Sequence, residues 1–192
     1  MSAWKLSEIS SIKFCTIIPN RMKTQEEQTN WLSCANFSSD NIMSGKLTKT
    51  NYQADDNFRV QPDDIVIKRI SPTYVNYISE IDDEIYAGNN LIVVTPNENI
   101  YPKYLAMILN EEISSLSEAS SIGAVMKSIS RSDIESLPIP KLDYQKQIAV
   151  GNLWFDSIEC KKMKTRLVEL ENIKTRFNLL KYVRKNGGKN ND

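Results

Sequence analysis

The chain has 192 residues and carries 24 Lys and Arg against 24 Asp and Glu, with 41% hydrophobic and 25% charged residues. This composition indicates a soluble, globular protein of one ordinary domain plus an appendage. It excludes a membrane-spanning protein, because no apolar run approaches the roughly 18 residues that cross a bilayer. The first residues do not have the pattern of a signal peptide, so we expect a cytoplasmic protein.

The cysteine and histidine content limits the reactions that the chain could catalyse and the metals that it could bind. The three cysteines, Cys15, Cys34 and Cys160, lie far apart in the sequence, which is typical of reduced thiols rather than a disulfide framework. The chain has no histidine, which argues against a structural zinc site and against acid–base catalysis. We therefore expect a protein that has no cofactor, no metal and no catalytic residues.

The net charge of zero conceals two halves of opposite charge. Residues 1–143 carry 13 Lys and Arg against 19 Asp and Glu, whereas residues 144–192 carry 11 against 5. A uniformly basic nucleic-acid-binding face is therefore not expected in the first part, and any such role must depend on local basic groups.

Residues 1–140 mix short strand patterns with a few helix patterns. Residues 4–9 read as an opening strand or turn, and strands are predicted at residues 31–37, 65–67, 74–78 and 91–94. The alternation in residues 74–78 suggests a half-covered strand, and residues 91–94 are the clearest central strand. This order predicts an α+β fold with a mixed or antiparallel sheet rather than a repeating βαβ unit.

The helix patterns begin at Pro102, which suits a first helical turn because its missing N–H would be unpaired there. Ser130 is predicted to cap a short helix over residues 131–136, with Asp133 completing a capping box. Pro138 and Pro140 then force an extended segment. After them, one long helix is predicted to about residue 184, and at ~1.5 Å per residue it would be ~60 Å long.

These patterns divide the chain into three segments. Residues 1–142 are predicted to form the compact domain, residues 143–185 a helical arm and residues 186–192 a flexible tail. Steps of three and four separate Ile148, Gly151, Phe155 and Ile158, and after a break at Lys161-Lys162 the same steps resume from Met163 to Leu180, close to the heptad rhythm of paired helices. The large apolar residues of this stripe are Ile148, Phe155, Ile158, Met163, Leu167, Leu170, Ile173, Phe177 and Leu180. A second copy of the chain is the first candidate to cover it, a different protein the second and the chain's own domain the third.

A basic segment follows the buried strand at residues 65–67. Lys68 and Arg69 stand at the strand exit, with Ser71 and Tyr74 close behind. Two cations with a hydroxyl and an aromatic ring suit contacts to phosphates and base edges, and Arg69 is suited to a bidentate contact with guanine. The alternative is two solvated charges that offset the nearby acidic residues.

Further residues are candidates for the same role. Lys127 and Ser128 lie in a loop before the capped helix, where backbone N–H groups are available to a phosphate. Asn36 and Asn76 have amides of the kind that reads adenine, although asparagine is also common in turns.

A series of short motifs is spread over nearly the whole chain. They are, in chain order, Trp4…Leu6…Ile9, Trp31-Leu-Ser-Cys-Ala-Asn-Phe37 with Gly45 following, Pro62-Asp-Asp64-Ile-Val-Ile67, Tyr101-Pro102-Lys-Tyr104-Leu105, Gly123-x-x-x-Lys127-x-Ile129 and Leu137-Pro-Ile-Pro140-x-Leu142-x-x-Gln145-x-x-Ile148. In this order and spacing, the motifs resemble those of the DNA specificity (S) subunit of type I restriction–modification systems. The closing proline–glutamine stretch is the most specific of them.

The resemblance implies a target-recognition domain that binds double-stranded DNA, followed by a coiled-coil helix that acts as a spacer. The family's subunits usually carry two such domains and two helices, whereas this chain has one of each. Two copies would then pair as a homodimer, read a bipartite, palindromic site and dock methyltransferase (M) subunits, with a restriction (R) subunit as an optional further partner. The chain itself would be non-catalytic.

Two other classes of function compete with this interpretation. A truncated scaffold would dimerise through the helix and bind protein without recognising DNA. A small hydrolase would turn over a substrate without any partner, but no motif in the sequence supports it.

Overall fold

The computed structural model describes residues 2–16, 29–39, 41–43, 46–50, 55–81, 83–119 and 128–187. Contacts between residues divide the chain into two compact units, unit 1 (Met1–Phe155) and unit 2 (Asp156–Asp192). Unit 1 holds the sheets and the shorter helices, and unit 2 is the greater part of one long helix. No helix within the described ranges combines the length and the apolar character needed to cross a membrane.

The secondary structure follows the predicted α+β order. The helices are α1 (Leu6–Ile9), α2 (Pro102–Ala119), α3 (Arg131–Glu135) and α4 (Tyr144–Gly187). The strands are β1 (Ala3–Lys5), β2 (Ser10–Cys15), β3 (Thr29–Leu32), β4 (Phe37–Ser38), β5 (Ile42–Met43), β6 (Thr48–Thr50), β7 (Arg59–Val60), β8 (Ile65–Lys68), β9 (Tyr74–Tyr77), β10 (Ile85–Ala87), β11 (Leu91–Pro96) and β12 (Pro138–Pro140). The predicted helix starts and the Ser130–Asp133 capping box are confirmed.

The strands form two larger sheets and two strand pairs. The first sheet is antiparallel in the order β2-β11-β8-β9, and the second is mixed in the order β6-β3-β10-β7, with β10 parallel to β3. The pairs are β1-β12 and β4-β5, both antiparallel. The strand predicted at residues 91–94 is confirmed as β11, an inner strand of the first sheet. The mixture of these sheets with helices confirms the predicted α+β fold class.

Alternate side chains of β8 enter two hydrophobic clusters, as the period of a strand requires. Ile65 and Ile67 join the cluster that contains Leu105 and Leu109 of α2, whereas Val66 joins the other cluster. Each fully buried side chain of this size contributes about 1.5–3 kcal/mol relative to exposure. The first sheet is therefore buried on both faces, and functional groups can reach solvent only at its edges and strand ends.

Two strand predictions were wrong in detail. The segment at residues 31–37 is not one strand, because the Ser33 backbone N–H donates to Asn36 Oδ1 at 2.8 Å and closes a 3-10 turn over Cys34–Asn36. The segment at residues 74–78 is buried rather than half covered. Val75 lies in the cluster with α2 residues, and Ile78 lies in the other cluster.

The extended segment before the long helix closes unit 1 against the N-terminus. In β1-β12, Trp4 is opposite Ile139, and the Leu6 backbone N–H donates to Leu137 O at 3.0 Å. Ile139 is fully buried while Pro138 and Pro140 are exposed. Since β12 pairs with β1 alone, it is an edge strand, where a proline without an N–H is tolerated.

The first turns of α4 are held in unit 1 by polar and close backbone contacts. The Gln147 side chain is 1% exposed; its Oε1 accepts a hydrogen bond from Tyr101 N and its Nε2 donates one to Leu142 O, both at 2.9 Å. Gly151 lies against α2, and a Cβ added to it would be 2.6 Å from Tyr104 N. The start of α4 is therefore fixed to the start of α2.

Aromatic contacts extend this attachment by another turn. The Phe155 ring meets the Tyr77 ring edge-on at 5.4 Å between centroids, and Lys103 Nζ lies 4.4 Å from the Phe155 centroid. Tyr101 also donates its hydroxyl to Asn152 Oδ1 at 2.7 Å. These contacts explain why unit 1 reaches past residue 142; the predicted segments 1–142, 143–185 and 186–192 stay predictions.

Replacing Gly151 by Ala tests the attachment of α4. A new Cβ would meet backbone atoms of Tyr104 and Lys103, which cannot rotate away. Overpacking costs about 1–3 kcal/mol, against about 1 kcal/mol that Ala gains over Gly inside a helix. We expect the free energy of unfolding, measured in urea, to fall on the order of 1 kcal/mol.

The matched control is Lys146→Ala, which removes an exposed side chain from the same part of α4. It is expected to change the free energy of unfolding by less than ~0.5 kcal/mol. A Gly151→Ala variant as stable as the wild type would contradict the close contact between α4 and α2.

Candidate nucleic-acid interface

The basic segment predicted to contact DNA begins where β8 ends. Lys68 is opposite Tyr74 in the β8-β9 ladder, and its Nζ lies 5.1 Å from the centroid of the Tyr74 ring. A cation over an aromatic face gains about 0.5–1 kcal/mol at an exposed site. The contact holds a flexible, half-buried lysine at the end of β8.

Arg69 connects this strand end to two distant parts of the chain. Its backbone N–H donates to Asn90 O at 3.0 Å, and its carbonyl accepts from Ile129 N at 3.2 Å. The guanidinium Nη2 donates to Ser128 Oγ at 3.2 Å, and Ile70 forms an antiparallel bridge with Ser128. Residues that are some sixty positions apart in the sequence therefore meet at one place.

The guanidinium of Arg69 is only partly satisfied. Its Nε is buried and has no hydrogen-bond partner within the part of the chain that the structure describes. An unpaired buried donor costs about 1–3 kcal/mol. The side chain therefore has an energetic reason to rearrange when a stronger acceptor, such as a phosphate or a base edge, is near.

The turn between β10 and β11 completes this surface. Gly88 N donates to Leu32 O at 2.9 Å, and Asn90 N donates to Cys15 O at 3.1 Å. Asn90 has a φ of 62°, in the left-handed region that asparagine tolerates better than most residues. The turn is therefore anchored to β3 and β2 as well as to Arg69.

These residues form a surface, here named the Lys68–Ser128 edge. It consists of Lys68, Arg69, Ser71, Tyr74, Ser128 and the turn Gly88–Asn90. Ser71 and Ser128 are exposed, and the others are half-buried apart from the buried Gly88. The structure thus brings together two segments that the sequence analysis singled out separately. Lys127, the neighbour of Ser128, lies outside the described residues.

Sequence reasoning missed the β10-β11 turn and the thiol beside it. Cys34 Sγ is 3.8 Å from Asn89 O and 3.9 Å from Asn90 O. The run Gly88-Asn89-Asn90 between two apolar strands has turn composition, so it could have been found, but nothing in the sequence indicates that it meets Arg69. Burial raises the pKa of Cys34, whereas the nearby positive charge of Lys68 lowers it.

The two asparagines proposed as adenine readers are buried. Asn36 is 2% exposed; its Oδ1 accepts from Ser33 and its Nδ2 donates to Lys46 O at 3.4 Å. Asn76 is 1% exposed, and its Nδ2 donates to Ser38 O at 3.4 Å. The observed contacts of both amides are internal to the fold, so neither presents an open edge to a base in this conformation.

The residues predicted for dimerisation lie in both units. In unit 1, Ile148 and Phe155 are partly buried and Phe155 contacts Tyr77. In unit 2, Ile158 is buried. The remaining six form one side of the helix, here named the arm stripe: Met163, Leu167, Leu170, Ile173, Phe177 and Leu180. They are 47–66% exposed, so the described residues leave this side of the helix uncovered.

Charged residues beside the arm stripe are partly paired along the helix. Lys162 Nζ lies 2.7 Å from Glu159 Oε1, and Arg166 Nη1 lies 3.0 Å from Glu169 Oε2. Such exposed pairs contribute only about 0.3–0.5 kcal/mol each. They place two basic side chains beside acidic partners, so the basic surplus of the helix lies on its other Lys and Arg residues.

The family model of the type I restriction modification DNA specificity domain matches residues 1–172. The chain therefore belongs to the type I restriction modification DNA specificity domain family. The family resemblance carried by the sequence motifs is confirmed. A comparison with curated proteins found no match.

Solved structures share the fold at low identity. A chain from work on complex assembly and conformational transition of the type I R-M system is 17% identical, with a TM-score of 0.62 over 92% of this chain and 43% of its own. The HsdS subunit from Thermoanaerobacter tengcongensis is 17% identical, with a TM-score of 0.57 over 83% and 37%. The type I restriction-modification S subunit from M. genitalium is 16% identical, with a TM-score of 0.56 over 91% and 44%. The chain spans less than half the length of each structure.

The three thiols provide a test of the geometry at the Lys68–Ser128 edge. Burial raises the pKa of Cys15 to about 12, so little reactive thiolate forms near neutral pH. We expect iodoacetamide to modify the exposed Cys160 first, the half-buried Cys34 more slowly and Cys15 hardly at all, as measured by peptide mass spectrometry.

The same assay tests the closeness of Lys68 to Cys34. Because the Lys68 charge lowers the pKa of Cys34, Lys68→Met should slow the alkylation of Cys34, whereas Lys49→Met on the exposed face of β6 should not. Equal rates for Cys34 in all three proteins would contradict the described geometry.

Proposed function

We propose that this chain is a non-catalytic specificity subunit that recognises double-stranded DNA through the Lys68–Ser128 edge. Family membership supports DNA recognition as its role. The observation that carries the proposal is the meeting of Arg69 with Ser128 and with the Asn90 carbonyl. These contacts bring cationic, hydroxyl and amide groups together at one surface, on backbone that is fixed by hydrogen bonds.

The two cations are suited to different tasks. Lys68 carries a compact charge on a flexible stem and suits a phosphate, whereas the planar fork of Arg69 suits the O6 and N7 atoms of guanine. Since residues 1–143 carry a surplus of acidic residues, affinity must come from this local group of cations. Each phosphate contact releases counterions from the DNA, so the affinity falls more steeply with rising salt concentration as the number of such contacts grows.

Any methyl transfer or cleavage would belong to partner chains. The chain has no histidine, and its carboxylate pairs, such as Asp55-Asp56, lie next to each other in turn-like segments. The proposed partners are therefore methyltransferase subunits, with a restriction subunit as an optional addition. This role would place the protein in the cytoplasm, where the chromosome is.

The arm stripe supports pairing with a second copy. Its six large apolar side chains expose apolar surface to solvent. Burial of such surface is favourable by ~25 cal/mol per Å². Association costs on the order of 4–15 kcal/mol, so an interface must bury most of that area on both helices. A second identical helix offers a matching apolar stripe, and a two-fold pair would present two recognition edges to a bipartite, palindromic site.

A second group of exposed side chains favours a further protein on the arm. Val168, Leu179 and Val183 are 55–62% exposed, and at 100° per residue they lie on the side of α4 opposite the arm stripe. One partner helix cannot cover both sides. Docking of methyltransferase subunits along this second side would cover it.

Substitutions at the Lys68–Ser128 edge should separate phosphate contacts from base reading. Lys68→Met should weaken binding to all duplexes and reduce the slope of log affinity against log salt by about 1. Arg69→Lys keeps the charge but loses the bidentate fork, so discrimination at one base pair should fall by about 1–3 kcal/mol. Fluorescence anisotropy with duplexes selected from a random library measures both effects.

Lys49→Met is the matched control, since it removes the same charge from an exposed position on the second sheet. It should leave the salt slope and the selected sequence unchanged. A wild-type chain that dimerises but retains no DNA at moderate salt would contradict the proposal and would indicate the scaffold function instead.

The pairing of arms is tested by a charge on the arm stripe. Leu170→Glu would place a carboxylate in the proposed interface and should shift the mass measured by multi-angle light scattering from a dimer to a 22 kDa monomer. Thr165→Glu adds the same charge on the other side of the helix and should leave the dimer intact. A wild-type chain that is a monomer at high concentration would contradict self-pairing.

A further inference from the structure

The β10-β11 turn contains an amide that no local requirement explains. Asn89 is half-buried, and its side chain makes no hydrogen bond in the part of the chain that the structure describes. Asparagine is common in turns because its side chain bonds to nearby backbone or because it adopts a left-handed conformation. Asn90 has the left-handed φ of 62°, but Asn89 meets neither condition.

The position of Asn89 is nevertheless well fixed. Its carbonyl lies 3.8 Å from Cys34 Sγ, and the next carbonyl, that of Asn90, accepts the Arg69 N–H at 3.0 Å. Hydrogen bonds from Gly88 N and Asn90 N hold the chain on both sides of it. Asn89 therefore has an amide without a hydrogen-bond partner among the described residues, and it lies on fixed backbone next to Asn90, whose carbonyl binds the Arg69 N–H.

This combination suits the reading of a base edge. An asparagine amide can accept from N6 and donate to N7 of adenine in the major groove, and such bidentate pairs discriminate strongly against other bases. A reading side chain must be free of internal hydrogen bonds and held by a rigid element. Asn36 and Asn76, which have the same chemistry, are buried, whereas Asn89 meets both conditions.

We propose that Asn89 is a specificity-determining residue that reads an adenine next to the base pair contacted by Arg69. This inference rests on the proposed DNA recognition by the Lys68–Ser128 edge and adds a named base contact to it. Asn89 sets the preferred base at one position, while the neighbouring cations supply most of the affinity.

The experiment selects duplexes from a random library with the full-length chain at moderate salt and compares the sequences enriched by each variant. Asn89→Ala should lose the adenine preference at one position, with discrimination there falling about tenfold or more and affinity for unselected duplex changing less than about twofold. Asn89→Asp, which keeps the shape of the side chain, should shift that position towards cytosine, because a carboxylate accepts from cytosine N4.

The matched control is Asn99→Ala, which removes an exposed asparagine beyond the other end of β11 and should leave the selected motif unchanged. If Asn89→Ala and Asn89→Asp both enrich the wild-type motif, the inference is overturned while the proposed DNA recognition stands. If the wild-type chain enriches no sequence, both are overturned.

Discussion

The proposed function depends on one backbone closure, the pairing of Arg69 and Ile70 with Ser128 and Ile129. The Arg69 carbonyl accepts from Ile129 N, and Ile70 bridges Ser128. Without this closure, the strand end after β8 and the segment before α3 would be two separate loops. With it, the backbone that carries the Arg69 guanidinium and the Ser128 hydroxyl is fixed at the strand ends of a sheet whose faces are both buried. Preorganisation of this kind reduces the entropy lost when a ligand is bound.

A second constraint fixes the first turns of α4 within unit 1. The buried Gln147 amide satisfies the Tyr101 N–H, and the missing side chain of Gly151 lets α4 approach the backbone of α2. A helix that starts from such contacts cannot rotate about its own axis within unit 1. In a dimer of the proposed kind, the start of each arm would therefore be fixed to its own recognition domain.

Much of the fold could be predicted from the sequence because its signals are local. The apolar run that became β11, the Ser130–Asp133 capping box and the proline-bounded β12 are each set by a few neighbouring residues. The break at Cys34–Asn36 was missed because it depends on a side-chain hydrogen bond that the apolar pattern hides.

The candidate site was less predictable because it is made by contacts between distant residues. Strand-exit chemistry indicated Lys68 and Arg69, but nothing near them in the sequence indicates Ser128 or Asn89 as neighbours. The burial of Asn36 and Asn76 was equally hidden, since it is set by strands that are far away in the sequence. Residue type indicated asparagines as candidates, and the tertiary fold determined which asparagine lies in the Lys68–Ser128 edge.

Hydrogen–deuterium exchange of the full-length chain, with and without a selected duplex, would show whether DNA binds at the Lys68–Ser128 edge. We expect slower amide exchange in three segments that are distant in sequence: residues 69–74, 88–90 and 128–130. Protection of those segments together would locate DNA at the Lys68–Ser128 edge. Unchanged exchange there, with protection confined to the acidic region around residues 55–60 and 83–85, would contradict the account.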